Sequence, residues 1–68
     1  MAALKIYFDA EAKTLTVWFD NPENEFIAEE TGQEVILIKD KDGKVIGFER
    51  LHYEMASIDD LTIEAVAI

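Results

Sequence analysis

The sequence predicts a mainly β protein, with α+β the alternative: an antiparallel meander of about five to six strands with a short helical turn near the C-terminus. Three observations carry this. Apolar and polar residues alternate with period two in several short runs. Turn residues separate those runs at regular intervals. The runs themselves are rich in β-branched and aromatic residues, which suit a pleated surface.

The elements follow in order. Leu4, Ile6 and Phe8 alternate with Lys5, Tyr7 and Asp9, a strand with one face buried. Residues 9–13 make a short turn. Thr14 to Asp20 alternates again, with Leu15, Val17 and Phe19 on one face and Thr14, Thr16 and Trp18 on the other. These two runs predict a hairpin. Asp20-Asn21-Pro22-Glu23-Asn24 reads as loop, because Asn and Asp bond to nearby backbone and Pro cannot donate to a ladder. Residues 25–30 form a weaker strand, with Phe26 and Ala28, or Ile27, pointing inward. Its acids suit a sheet edge, where charge discourages stray pairing.

Val35-Ile36-Leu37-Ile38 is apolar at every position, as in a strand covered on both sides. Asp40-Lys41-Asp42-Gly43 is the sharpest local signal: Asp starts a turn and Gly takes its positive-φ position. Residues 44–53 return as a strand, with Ile46 and Phe48 on one face and Val45, Gly47 and Leu51 on the other. Gly47 marks a bulge or the close approach of another backbone. At the end, Ser57-Ile58-Asp59-Asp60 resembles a helix start. Leu61, Ile63, Ala65 and Ala67 then alternate with Thr62, Glu64, Val66 and Ile68. The period favours a helical turn near 56–60 followed by a strand over one continuous helix.

The 68 residues suffice for one domain, spanning 1–68, with half of them hydrophobic and no cysteine. A thiolate nucleophile and a Cys-based zinc site are thereby excluded, and the composition fits a reducing compartment. No apolar run approaches the roughly 20 residues of a membrane span. Asp9 and Glu11 interrupt any signal-peptide layout, so a cytoplasmic location is expected. The net charge of −9 is uneven. Residues 1–22 carry two Lys and three acids (−1), whereas 23–68 carry three Lys, one Arg and twelve acids (−8). This field repels a nucleic-acid backbone and attracts a basic protein.

One further resemblance rests on residues in sequence: Lys5-Ile6-Tyr7-Phe8-Asp9, Leu15 to Phe19, Glu29-Glu30-Thr31, Val35 to Ile38, then Asp42-Gly43-Lys44-Val45-Ile46-Gly47-Phe48-Glu49-Arg50-Leu51. This succession resembles the small bacterial family catalogued as domain of unknown function 2283, over residues 4 to about 51. Arg50 departs from the apolar residue usual there, and the tail from His52 onward is unlike the commoner helical ending. The resemblance implies a compact β-rich domain with no established catalytic residues. Some relatives are encoded beside small RNase-type toxin candidates, which suggests an antitoxin-like role.

The chemical candidates are few. Asp40, Asp42 and Gly43 lack the rest of a calcium loop, since position 38 is Ile. Glu29, Glu30 and Glu34 read as a solvated edge rather than a catalytic pair. His52 is the single histidine, with Glu54 expected on the same strand face, and one such pair is not a metal site. No catalytic, cofactor-binding or metal-ligating residue is therefore predicted, and the chain is not read as an enzyme. The more informative set is Tyr7, Trp18, Val35, Leu37 and Val45, expected on the face opposite Ile6, Phe8, Leu15, Val17 and Phe19. Both faces would then be apolar. Tyr7, Trp18, Val35 and Leu37, with the acids Glu29 and Glu30, are the predicted partner-binding residues. The expected function is a small acidic interaction module, antitoxin-like, that self-associates or binds a basic protein. The competing expectation is a small ligand-binding or enzymatic domain.

Overall fold

The computed structural model describes residues 3–68. Its centre is one five-stranded antiparallel sheet: β1 (Lys5–Asp9), β2 (Thr14–Trp18), β3 (Ile27–Glu30), β4 (Val35–Lys39) and β5 (Val45–Arg50). Helical structure among the described residues consists of two 3-10 turns, Pro22–Asn24 and Ile58–Asp60. The spatial order is β1-β2-β5-β4-β3. The chain is thus a hairpin, β1–β2, docked on a three-stranded meander, β3–β4–β5, through the β2–β5 pairing.

Local chemistry sets each connection. Asp9 Oδ1 accepts from the backbone N–H groups of Glu11 and Ala12, and the β1–β2 turn closes with Lys13 at φ 59°. The β4–β5 turn forms at the predicted Asp-Lys-Asp-Gly. Asp40 Oδ1 accepts from the N–H groups of Asp42 and Lys44, and Gly43 takes φ 82°, which a residue without Cβ adopts freely. Residues 19–26 run along one end of the sheet from β2 to the far edge. Phe19 N–H donates to the Ile46 carbonyl at 2.8 Å, and Phe26 N–H to that of Lys39 at 2.9 Å. Asn21 caps the intervening 3-10 turn by accepting from the Glu23 N–H.

The register decides which side chains share a face. Trp18 lies opposite Gly47, and Gly47 opposite Ile38. Tyr7 lies opposite Thr16, Thr16 opposite Glu49 and Glu49 opposite Ile36. One face therefore carries Tyr7, Thr16, Trp18, Glu49, Ile36 and Ile38. The other carries Ile6, Phe8, Leu15, Val17, Phe48, Leu37 and Val35. This corrects the expected placement of Val35 and Leu37 beside Tyr7 and Trp18. Alternation within β4 was legible, but its phase relative to β2 is set through β5, and a shift of one residue exchanges the faces. An irregularity at Ile38/Lys39 leaves Ile46 without an opposite residue and brings it into one buried cluster with Trp18 and Ile38. Ile46 thus sits with Trp18 rather than sharing the Phe48 face.

That cluster is the whole fully buried apolar core among the described residues. On the opposite face burial is partial. Tyr53, just beyond β5, packs edge-on against Phe8 with ring centroids 6.4 Å apart, and Phe19 lies 5.9 Å from Phe48. The strand expected over residues 44–53 ends at Arg50, where the chain turns away through His52 at φ 55°. The C-terminal 3-10 turn forms near its expected position, with Ser57 capping the Asp59 N–H. No strand follows it: residues 61–68 pair with no strand of the sheet.

Candidate interaction surface

Gly47 makes the site possible. A Cβ there would lie 2.7 Å from the Val17 carbonyl oxygen and 3.1 Å from Cε3 of Trp18. The missing side chain lets the Trp18 indole lie over β5, where it is 93% buried as a consequence (7% exposed). Ile36 and Ile38 flank it from β4. Beside this apolar floor opens a cleft of about 260 Å3. Its walls are Tyr7 from β1, Thr16 from β2, Glu49 from β5, and Glu25 and Ala28 from the β3 segment.

The cleft is chemically mixed. Thr16 Oγ1 donates to Glu49 Oε2 at 3.4 Å, which orients that carboxylate. Trp18 Nε1 is buried and has no acceptor. Four ion pairs form among the described residues, joining Lys13 to Glu54, Lys39 to Glu29, Lys44 to Asp20 and Arg50 to Glu34, and Glu34 also lies within hydrogen-bond distance of His52 Nδ1. Neither Glu25 nor Glu49 takes part in one. The cleft thus presents two carboxylates outside any ion pair beside the exposed Tyr7 ring, an environment that favours an incoming cation.

The six residues singled out from sequence do not form one surface. Tyr7 and Trp18 share the cleft, Tyr7 exposed and Trp18 buried. Val35 and Leu37 lie half-buried on the other face. Glu29 and Glu30 stand on the edge strand β3, as expected from their charge. Glu29 accepts from Lys39 Nζ at 2.6 Å. Glu25, Thr16, Ile36 and Glu49 were missed. Their signal was a matching phase between strands distant in sequence, which composition alone does not display.

The remaining carboxylates are dispersed. Glu34, just before β4, contacts Arg50 at 3.4 Å and His52 Nδ1 at 3.2 Å. His52 and Glu54 do not share a strand face, since β5 has already ended and Glu54 pairs with Lys13 at 3.2 Å. Among the described residues no group of three or more His, Asp or Glu side chains could hold a metal ion. Asp20 has its carboxyl held below the ordinary 3.8, chiefly by the N–H of Asn21, with desolvation opposing and Lys44 adding to the lowering. No helix of the described residues is long and apolar enough to cross a membrane.

The model of a family described as "Protein of unknown function (DUF2283)" matches residues 5–53. The chain belongs to the DUF2283 family. The matched span holds all five strands of the sheet, and with them Tyr7, Trp18, Glu25, Gly47 and Glu49. The segment after residue 53, which includes the C-terminal 3-10 turn, lies outside it. No curated protein and no solved structure matches this DUF2283 chain.

Proposed function

We propose that this DUF2283 chain is a protein-interaction module that holds a cationic segment of a partner, in the manner of an antitoxin masking a basic nuclease. The observation that carries the reading is the cleft itself. Glu25 and Glu49 line it without a cationic neighbour in an ion pair, while Tyr7 supplies exposed aromatic surface above the buried Trp18. A lysine or arginine entering there gains charge-assisted hydrogen bonds from the carboxylates and cation–π attraction from the Tyr7 ring. The net charge of −9 steers a basic partner toward the chain from a distance.

Co-expression with the products of neighbouring genes, followed by purification, is the direct test. A stoichiometric basic protein should copurify, and its affinity should fall as salt rises. Changing Glu25 and Glu49 together to Gln should weaken that complex by about tenfold or more, because charge-assisted contacts are each worth roughly 1.5–3 kcal/mol. Retention of the partner at full affinity by this double variant would place the contact elsewhere and overturn the reading.

A further inference from the structure

Residues 61–68 carry a strand pattern but make no strand. Leu61, Ile63, Ala65 and Ala67 alternate with Thr62, Glu64, Val66 and Ile68, and the segment pairs with no strand of its own sheet. Its apolar side chains stand in water: Ile63 is 63% exposed and Val66 74%. The sheet meanwhile ends in two open edges, β1 and β3, each with a row of unpaired backbone groups.

The chain exposes more surface than a compact monomer of its mass. A folded monomer of 7.7 kDa exposes roughly 4,300 Å2 by the usual scaling with mass, whereas this chain exposes 5405 Å2, an excess of about 1,100 Å2. The radius of gyration agrees: 12.8 Å against about 11 Å for 68 residues. A specific interface covers about 800 Å2 of each partner. The excess is of the size that one such interface removes.

We infer that the tail, residues 61–68, adds as a sixth strand to the β1 edge of a second copy of this chain, giving a reciprocal strand-exchanged dimer. Charge selects β1 over β3. The β3 edge bears Glu29 and Glu30, which repel Glu64 of the tail, whereas β1 carries one base, Lys5, against one acid, Asp9, and no net charge. The chain also leaves the sheet on the β1–β2 side, where Tyr53 N–H donates to the Lys13 carbonyl and Glu54 pairs with Lys13. On β1, alternate apolar residues at Ile6 and Phe8 match the period of the tail. The opposing effect is repulsion between two chains at −9, which salt screens.

Two measurements on the full-length chain test this. Sedimentation from micromolar to sub-millimolar concentration should show a dimer that tightens as salt rises. Ile63→Pro removes one ladder donor at a position that pairs with no strand within the chain, so the sheet should keep its circular dichroism while association weakens about tenfold or more. A chain that stays monomeric at every concentration and salt, or a dimer indifferent to Ile63→Pro, overturns the inference. The second measurement uses the absence of native cysteine. A Tyr7→Cys, Glu64→Cys double variant treated with a short bismaleimide should yield covalent dimers. An internally linked monomer would place the tail on its own β1 edge, and the exchange between copies would be wrong.

Discussion

Gly47 and Trp18 form a matched pair, and each explains the other. The indole occupies the space that a side chain on β5 would fill, and the backbone of β2 approaches so closely that any Cβ at residue 47 meets the Val17 carbonyl. Backbone cannot swing aside as a flexible side chain can. Gly47→Ala should therefore destabilise the fold by about 1–3 kcal/mol, the range of overpacking in a tight core. Thermal unfolding checks this, since each kcal/mol moves the midpoint by roughly 4–8 °C in a domain of this size. An unchanged midpoint would mean that β2 and β5 can part without cost. The close approach was legible from the sequence because a glycine inside a strand pattern has few other reasons. Its partner was not, because nothing local says which strand lies beside β5. Asp20 gives a second residue-scale prediction. Its carboxyl is held below 3.8 mainly by the Asn21 N–H, with Lys44 contributing less. A depressed folded-state value favours the charged form. Its stabilisation is present above the unfolded value and is lost as pH falls through the folded one. A carboxylate titration followed by NMR should place Asp20 below 3.8. Lys44→Met should raise it part of the way, because the backbone contact remains.

At the scale of elements, the sequence determined the strands better than their order. Alternation and turn chemistry located all five, and the Asp40–Gly43 turn formed as its residues required. The ends drifted where propensity outran pairing. The run from Lys44 to Tyr53 stops at Arg50 because His52 takes a left-handed backbone conformation and the chain leaves the sheet. Faces failed where they depended on register between strands 10 to 30 residues apart, as with Val35 and Leu37. The order β1-β2-β5-β4-β3 has a direct consequence. β5 is hydrogen-bonded on both sides and lies at the centre, so its amides should exchange with solvent more slowly than those of β3, which has one partner. Amide exchange read by NMR tests this, and faster exchange in β5 than in β3 would contradict the strand order. In the same experiment, protection within residues 62–66 that increases with protein concentration would report the tail gaining a ladder.

On the scale of the whole molecule, one sheet without a second layer is an incomplete architecture. Domains ordinarily bury the apolar face of a sheet against another element. Here the segment beyond β5 gives only partial cover, and the fully buried cluster among the described residues is Trp18, Ile38 and Ile46. The four ion pairs do little to compensate, as exposed pairs are worth about 0–1 kcal/mol each. The charge of −9 on 68 residues also opposes compaction. Both facts were foreshadowed in the sequence, which patterned two apolar faces and more strands than one small chain could cover. They lead to one last expectation. If stability depends on cover supplied by a second copy, binding favours the folded state by mass action and the unfolding midpoint must rise with protein concentration. Salt should raise it too, by screening repulsion within and between chains. A basic partner would show the opposite salt response, since screening weakens an attraction between unlike charges. Calorimetry over a hundredfold range of concentration at low and high salt separates these cases. A midpoint independent of concentration would show that the three-residue cluster, with its half-buried surroundings, holds the sheet alone.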